Sequence, residues 1–292
     1  MRVLFIIFFI SICSFCNTKK TTSEKQSLLI PILQNANLSN PNSQVNNDNS
    51  ECPPARLPEN IFLADTVVSA PAARDADFRR SSKAVNGICG GGETSGSTDV
   101  FTLDTSGEGA SIILAWNNKK VLNTKGTDFI VFENPFKYGD ENTYFMEPLL
   151  VEVSRDMIHW CGFLPAYAGK DGNQESYNTD RSAWTNFAGI QPVFYNMGTN
   201  NLSLEDLFIP SKSGGDHFDL DDLYSGNNSA IGQDCTLLEV KTIQEEGFLY
   251  IRLTSASARI NPLTQKYFPS DQSAFGTGPD IDGVIARTLG TR

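Results

Sequence analysis

Short apolar segments separated by glycine, asparagine, aspartate and proline restrict the fold of this chain more than any other feature. They predict strands at residues 61–68, 99–103, 110–116, 128–133, 149–154, 239–242, 248–254 and 281–286. No long amphipathic helical pattern separates these segments, which disfavours alternating strand–helix units. The sequence therefore predicts a mostly β fold: one β-sandwich or jelly-roll-like domain with short helical turns, covering residues 52–292.

The order of side chains within two segments predicts how those strands are buried. Phe129-Ile130-Val131-Phe132 is apolar on both faces, which is typical of a strand covered on both sides. Val151 and Val153 alternate with Glu152 and Ser154, which favours a half-exposed strand.

Helical signals are short. Ser203-Leu204-Glu205-Asp206 resembles a capping box that opens one or two turns. Asp180 is a suitable N-cap for a second short helix, and Gly189 is a suitable stop.

Residues 1–15 have the pattern of a signal peptide. A positive start at Arg2 precedes an apolar run over residues 3–12, which is too short to span a bilayer. Because a polar stretch begins at Asn17, we predict that Cys16 is the acylated first residue of a bacterial lipoprotein, although Phe15 is large for the position before a cleavage site. An ordinary secretory signal that is cut elsewhere in this region is the alternative.

Residues 16–51 are predicted to be the lipidated cysteine and a disordered tether. Ten of the sixteen residues over 35–50 are asparagine or serine. Such a composition buries too little apolar surface to offset the entropy of ordering. We therefore expect an exported protein that is held in the cell envelope, at the outer membrane or cell surface, by its lipid anchor.

The acidic composition limits the partners of this protein. The formal net charge of −11 argues against nucleic acid, which needs a basic surface, and against electrostatic binding to anionic lipid. Contact with the membrane is accordingly expected through the lipid anchor only.

Four cysteines lie beyond the processing region, and an even number in an exported chain predicts disulfides. They are Cys52, Cys89, Cys161 and Cys235. Three pairings are possible, and the spacing does not choose among them. A zinc site is the weaker alternative, for two reasons. No C-x-x-C pair follows Cys16, and the spacing of His159 and His217 is not that of zinc ligands.

Glycine-flanked acidic loops make calcium the candidate cofactor, since calcium prefers carboxylate and carbonyl oxygens on flexible loops. The predicted ligands are Asp216, Asp219, Asp221, Asp280 and Asp282. The alternative is that these side chains cap turns and accept hydrogen bonds from backbone N–H groups.

No catalytic residue is assigned. The chain has no G-x-S-x-G elbow and no H-E-x-x-H motif. A carbohydrate-active hydrolase using Glu133, Asp216 or Asp280 is an alternative, as is a glycan-binding module that uses aromatic residues of the loops. Those aromatic residues are Tyr138, Tyr144, Trp160, Tyr167, Tyr177, Trp184 and Tyr195.

Several motifs in order resemble a known family. They are the D-F-I-V-F-E-N sequence at residues 128–134, M-E-P at 146–148, V-E-V-S-R-D at 151–156, G-G-D-H-F-D-L at 214–220 and G-P-D-I-D-G at 278–283. Together they resemble leptospiral surface lipoproteins of unknown function and, more distantly, bacterial cell-surface protein domains. The resemblance spans residues 60–290 and implies export, a lipid anchor and a β-sandwich-like domain.

One departure from the wider family pattern concerns the turn after residue 154. That pattern has glycine after the aspartate, whereas Met157 follows Asp156 here, so we expect the turn to be built differently.

The sequence as a whole predicts a non-catalytic surface lipoprotein. We expect it to bind or scaffold an extracellular or envelope macromolecule, either protein or glycan.

Overall fold

The structure is a computed structural model that describes residues 52–139, 142–226, 228–272 and 277–292. The predicted signal peptide, the lipidated Cys16 and the tether over residues 16–51 lie outside this part of the chain and stay predictions. The described residues belong to one compact unit. None of the helices in them is long and apolar enough to cross a membrane.

The described residues form nineteen strands and three short α-helices, with several single turns of 3-10 helix. The strands are β1 (Phe62–Leu63), β2 (Thr66–Ser69), β3 (Phe101–Thr102), β4 (Ser111–Ala115), β5 (Lys119–Val121), β6 (Phe129–Phe132), β7 (Phe136–Lys137), β8 (Tyr144–Phe145), β9 (Leu149–Ser154), β10 (Trp160–Gly162), β11 (Ala166–Tyr167), β12 (Trp184–Thr185), β13 (Asp216–Phe218), β14 (Tyr250–Ser255), β15 (Ile260–Asn261), β16 (Lys266–Tyr267), β17 (Asp280–Ile281), β18 (Gly283–Ala286) and β19 (Leu289–Thr291). The helices are α1 (Leu204–Leu207), α2 (Pro210–Ser213) and α3 (Leu237–Glu246).

Two antiparallel sheets organise these strands. One has four strands in the order β1-β18-β6-β13, and the other has five in the order β10-β9-β14-β4-β2. The predicted strand over residues 61–68 is divided between them: Ala64 N–H donates to Val284 O of the first sheet, and Asp65 N–H donates to Ala115 O of the second. The chain thus crosses from one sheet to the other at these two residues.

Inward-facing side chains of both sheets share one apolar core. Phe129 and Val131 of β6 pack in the same cluster as Leu114 of β4, Val151 of β9 and Leu253 of β14. Two sheets around a common core make a β-sandwich, so the predicted mostly β fold is confirmed.

The outer face of β6 is buried as well. Ile130 and Phe132 belong to a second apolar cluster with Tyr195, Leu207 and Phe208, which lie outside the two sheets. All four residues of β6 are fully buried, as their sequence predicted.

Strand β9 is more buried than its sequence predicted. All six of its residues are buried, including Glu152, which is 1% exposed. Arg252 lies directly opposite on β14 and its Nε donates to Glu152 Oε2 over 2.9 Å. The prediction of a half-exposed strand was wrong because this cross-strand ion pair allows a carboxylate to be buried.

Residues 239–242 are helical, so the predicted strand there was wrong. Thr236 caps α3 by accepting a hydrogen bond from Glu239 N–H, and Gly247 follows the last helical residue. Val240 and Ile243 are buried, at the i and i+3 spacing of one helix face. The predicted N-caps are confirmed: Ser203 caps α1, and Asp180 caps a single 3-10 turn at Arg181–Ala183. The predicted stop at Gly189 was wrong, because the turn ends at Ala183 and strand β12 follows it.

The four cysteines form two disulfides, as their number predicted. Cys52 is bonded to Cys89, and Cys161 is bonded to Cys235. The first bond holds the start of the described chain against the domain. The second connects β10 to the segment that precedes α3.

Candidate functional site

An open cleft of about 610 Å³ lies at the β13 edge of the four-stranded sheet. Three segments line it: residues of β13, the 180–191 segment that contains β12, and residues near β8. Its lining residues are Asn142, Tyr144, Asp180, Arg181, Ser182, Trp184, Thr185, Asn186, Phe187, Ile190, Gln191, Asp216, His217 and Phe218. Aromatic and aliphatic side chains are buried beneath the cleft, whereas amide and hydroxyl side chains are exposed around it.

The 180–191 segment is held in place by hydrogen bonds and ring packing. Asp180 accepts hydrogen bonds from Ser182 N–H and from Ser182 Oγ. Trp184 Nε1 donates to the carbonyl oxygen of Asn178, and its ring contacts those of Tyr167 and Phe187. Because binding residues must be held in position, this rigid 180–191 segment is a suitable support for a binding surface.

Arg181 is the cation of the cleft. Its guanidinium lies 4.1 Å from the centre of the Tyr144 ring, and its Nη1 donates to Gln191 Oε1 over 2.6 Å. Tyr144 in turn donates its hydroxyl to Glu93 Oε1. Within the described part of the chain, Arg181 forms no salt bridge. It therefore keeps N–H donors for a ligand.

Asp216 and His217 are neighbours on β13, and burial shifts their pKa values in opposite directions. Asp216 Oδ2 accepts from Ile190 N–H over 3.0 Å. Burial, opposed by backbone N–H donors at residues 189–191, raises the pKa of Asp216 to about 7. Burial lowers the pKa of His217 to about 4, so this imidazole is neutral at pH 7. Asp216 and His217 therefore place little net charge on the inner side of the cleft at pH 7.

The other predicted calcium ligands have protein partners. Asp219 accepts from Asp221 N–H, and Asp221 accepts from the Asn123 amide. Asp280 accepts from the Thr102 hydroxyl. Both carboxylate oxygens of Asp282, which is fully buried, accept from Cys89 N–H.

These five aspartates do not gather into one site. Among the residues that the structure describes, no group of three or more histidine, cysteine, aspartate or glutamate side chains is arranged to hold a metal ion. Calcium at Asp216, Asp219, Asp221, Asp280 and Asp282 stays a prediction. Asp216, Asp219 and Asp282 accept from backbone N–H groups, as the turn-capping alternative expects, whereas Asp221 and Asp280 accept from the side chains of Asn123 and Thr102.

Most of the loop aromatic residues are part of the interior. Tyr144, Trp160, Tyr167, Trp184 and Tyr195 are buried. Trp160 donates its Nε1 to the Met157 carbonyl oxygen, and Tyr177 donates its hydroxyl to Met146 O. Tyr138 is exposed and is free to contact a partner from the surface. A glycan that stacked on a flat aromatic platform would thus have little ring surface available among these seven residues.

A buried group of carboxyl side chains was only partly visible in the sequence. Glu133 follows β6 and Glu147 precedes β9, and both are buried. Asp280 N–H donates to Glu133 Oε1, and Gly278 N–H donates to Glu147 Oε1. Burial and then the charges of Glu147 and Asp280 raise the pKa of Glu133 well above its usual range. Glu147 was not predicted as a site residue, although it stands in the M-E-P motif at residues 146–148.

The function of these groups has to be inferred from their own chemistry. No protein-family model, no curated protein and no solved structure matches this chain. The resemblance to leptospiral surface lipoproteins stays a prediction from the sequence motifs.

Proposed function

We propose that this chain is a non-catalytic, exported surface lipoprotein that binds a segment of an extracellular or envelope macromolecule in the cleft at the β13 edge. The observation that carries the proposal is the cleft itself: an open, polar surface on a β-sandwich that two disulfides brace. Open clefts of several hundred Å³ with a few placed polar groups are the usual form of a binding site.

The surroundings of the acidic side chains support binding rather than catalysis. Asp216 is held by backbone N–H donors, and Glu133 is enclosed in the interior. A glycosidase needs two carboxyl groups that flank one sugar bond. Asp216 is the one of the three hydrolase candidates that lines the cleft.

A glycan is the second candidate ligand, favoured by the composition of the exposed side chains. Asn142, Asn186 and Gln191 offer amides, and Ser182 and Thr185 offer hydroxyls. Each of these groups can donate or accept a hydrogen bond, which matches the hydroxyl groups of a sugar.

A ligand screen with cleft variants tests the proposal. The purified chain would be applied to a glycan array and to a panel of extracellular-matrix and envelope proteins, beside Arg181→Ala and Gln191→Ala. We expect any specific ligand to bind at least about tenfold more weakly to Arg181→Ala, because a charged donor to the ligand is lost. Lys125→Ala, which lies outside the cleft, serves as the matched control.

The outcomes separate the alternatives. Specific binding that both cleft variants leave intact would overturn the role of the cleft. Release of sugar from polysaccharides by the wild type, abolished in Asp216→Asn, would replace the proposal with the hydrolase alternative.

The lipid anchor has its own test. An azide-bearing fatty acid supplied to expressing cells is expected to label the wild type and Cys13→Ala but not Cys16→Ala. Absence of label on the wild type would rule out lipidation.

A further inference from the structure

A second open cleft, of about 740 Å³, lies beside the paired strands β3 and β17. Among the described residues, it shares none of its lining with the cleft at the β13 edge. Its volume falls in the range of about 300–1,000 Å³ that ligand pockets occupy. Two aromatic rings and several polar side chains line it, among them those of Phe78, Ser97, Thr102, Asn134, Phe136 and Asp280.

Asn134 joins segments of the second cleft that are remote in the sequence. Its side chain accepts a hydrogen bond from Ser97 N–H and donates one to Ser97 O over 3.0 Å, which holds the glycine-rich segment over residues 87–97. Its Nδ2 also lies 3.4 Å from Asp280 Oδ2, and Thr102 donates its hydroxyl to Asp280 Oδ1. These polar groups are therefore fixed before any ligand arrives, which lowers the entropy cost of binding.

Asp280 Oδ2 can accept a further hydrogen bond. Its one partner among the described residues is the Asn134 amide, and 3.4 Å is long for a hydrogen bond between nitrogen and oxygen. A carboxylate oxygen has about two acceptor positions. Because Asp280 lines the cleft, a ligand with an O–H or N–H donor can use the remaining capacity.

Phe78 supplies an apolar surface in the same cleft. Its side chain is 47% exposed, and it belongs to a single 3-10 turn at Asp77–Arg79. That turn is attached to β3, because Arg79 Nη1 donates to Thr102 O over 2.8 Å. Phe136 adds a second, half-buried ring. An exposed phenyl ring on a fixed turn is a surface on which the C–H groups of a sugar ring can pack.

The charges around the second cleft favour a neutral ligand. Arg79 pairs with Asp104 over 2.9 Å, and Lys83 pairs with Asp99 over 3.5 Å. Burial raises the pKa of Asp280, whereas its hydrogen bonds and then the charges of Arg79 and Lys83 lower it, so both cations act on this carboxyl group. A ligand ammonium group would be repelled by these cations, and a ligand anion would be repelled by Asp280.

We propose that the second cleft binds a neutral sugar unit of a glycan, which packs its C–H face on the Phe78 ring and donates a hydroxyl hydrogen bond to Asp280 Oδ2. Ser97 Oγ accepts from Asp99 N–H over 3.1 Å and can donate its own hydrogen to the same sugar. This site goes beyond the proposed function, and the two clefts can be altered separately.

An array of neutral oligosaccharides of glucose, galactose, mannose and N-acetylglucosamine tests the proposal, followed by calorimetric titration of the purified full chain with the strongest binder. We expect Phe78→Ala to bind it at least about tenfold more weakly, because the ring surface is lost, and Phe78→Tyr to retain binding. Asp280→Asn replaces a carboxylate oxygen by a donor and should weaken the same ligand. It supplies a second measurement should Phe78→Ala fold poorly.

Tyr267→Ala is the matched control, since it removes an exposed ring that lines neither cleft. This control should bind the oligosaccharide as the wild type does, and so should Arg181→Ala. Failure of every neutral oligosaccharide to bind would overturn the proposal, as would binding that Phe78→Ala and Asp280→Asn leave intact. A ligand that only Arg181→Ala weakens would support the cleft at the β13 edge and count against the second site.

Discussion

The turn at residues 154–159 holds a non-glycine residue in a backbone conformation that glycine adopts more easily. Met157 has φ +64°, in the left-handed region that glycine occupies without strain. The expectation that this turn is built differently from the wider cell-surface pattern stays a prediction. Hydrogen bonds hold the backbone of the turn here. Met157 N–H donates to Ser154 Oγ, and Ile158 and His159 N–H donate to Asp156 Oδ1.

Met157→Gly is therefore expected to stabilise the protein. It relieves the left-handed strain, of about 1 kcal/mol, and the exposed methionine side chain gives up little packing. After the entropy cost of glycine in the unfolded chain, we expect a net gain of up to about 0.5 kcal/mol in the free energy of unfolding. Urea denaturation measures it. Ile158→Gly, at the exposed neighbouring residue, should destabilise; equal effects of the two variants would contradict the explanation.

Glu152 carries the buried ion pair of the five-stranded sheet. It accepts from Arg252 Nε and from Gly232 N–H, and Arg259 lies 3.6 Å away. Glu152→Ala leaves Arg252 buried without its partner, so we expect a loss of about 3–5 kcal/mol. Glu246→Ala breaks the exposed pair with Arg155 and should cost less than about 1 kcal/mol. Similar melting temperatures for the two variants would show that burial of the pair is unimportant.

Among the secondary-structure elements, α3 is one that the local sequence predicted as a strand. The Glu-Val-Lys-Thr stretch at residues 239–242 alternates like a strand, and valine and threonine favour strands. The helix forms because Thr236 caps it and because the Val240 and Ile243 side chains are buried on one face. Packing of this kind depends on distant parts of the chain, which the local alternation does not reveal.

Strand β13 connects pH to stability through Asp216. The folded pKa is about 7, against a usual value of 3.8, so between these values the folded chain holds a proton that the unfolded chain has released. The stability that this proton confers is complete below pH 3.8 and is lost as the pH rises through 7.

We expect the free energy of unfolding to fall by about 1.4 kcal/mol between pH 6 and pH 8.5 from this group. Asp216→Asn should flatten the dependence measured by denaturant titration at a series of pH values. Asp222→Asn, which alters an exposed side chain of the next turn, should leave the slope unchanged. A wild-type stability that rises over this interval would refute the assignment.

At the scale of the whole molecule, the sequence predicted the fold class and the positions of the longer strands. Strand β9 matches its prediction at both ends, and β6 lies within the predicted 128–133 segment. The pairing of the cysteines and the meeting of Asn134 with Asp280 could not be predicted, because both join residues far apart in the chain. The cleft was missed for the same reason, although Asp216, Tyr144 and Trp184, which the sequence singled out for different roles, all line it.

The disulfide between Cys161 and Cys235 is expected to set the global stability. It closes a loop of 74 residues that includes the 180–191 segment and β13. The double variant Cys161→Ala, Cys235→Ala should lose about 2–5 kcal/mol, mainly because the unfolded chain gains freedom. Thermal unfolding of this variant beside the wild type, both without reductant, measures the loss. An unchanged melting temperature would contradict it.

The first disulfide also determines how tension would enter the domain. If the proposed N-terminal tether holds this chain, force enters the described domain at Cys52. The bond to Cys89 carries that load past β1 and β2, which lie inside the bridged loop. The disulfide transfers this force to Cys89, whose N–H donates to both carboxylate oxygens of the buried Asp282. With the proposed anchor, force on the tether would therefore load the interior before it loads β1 and β2, the two strands nearest Cys52.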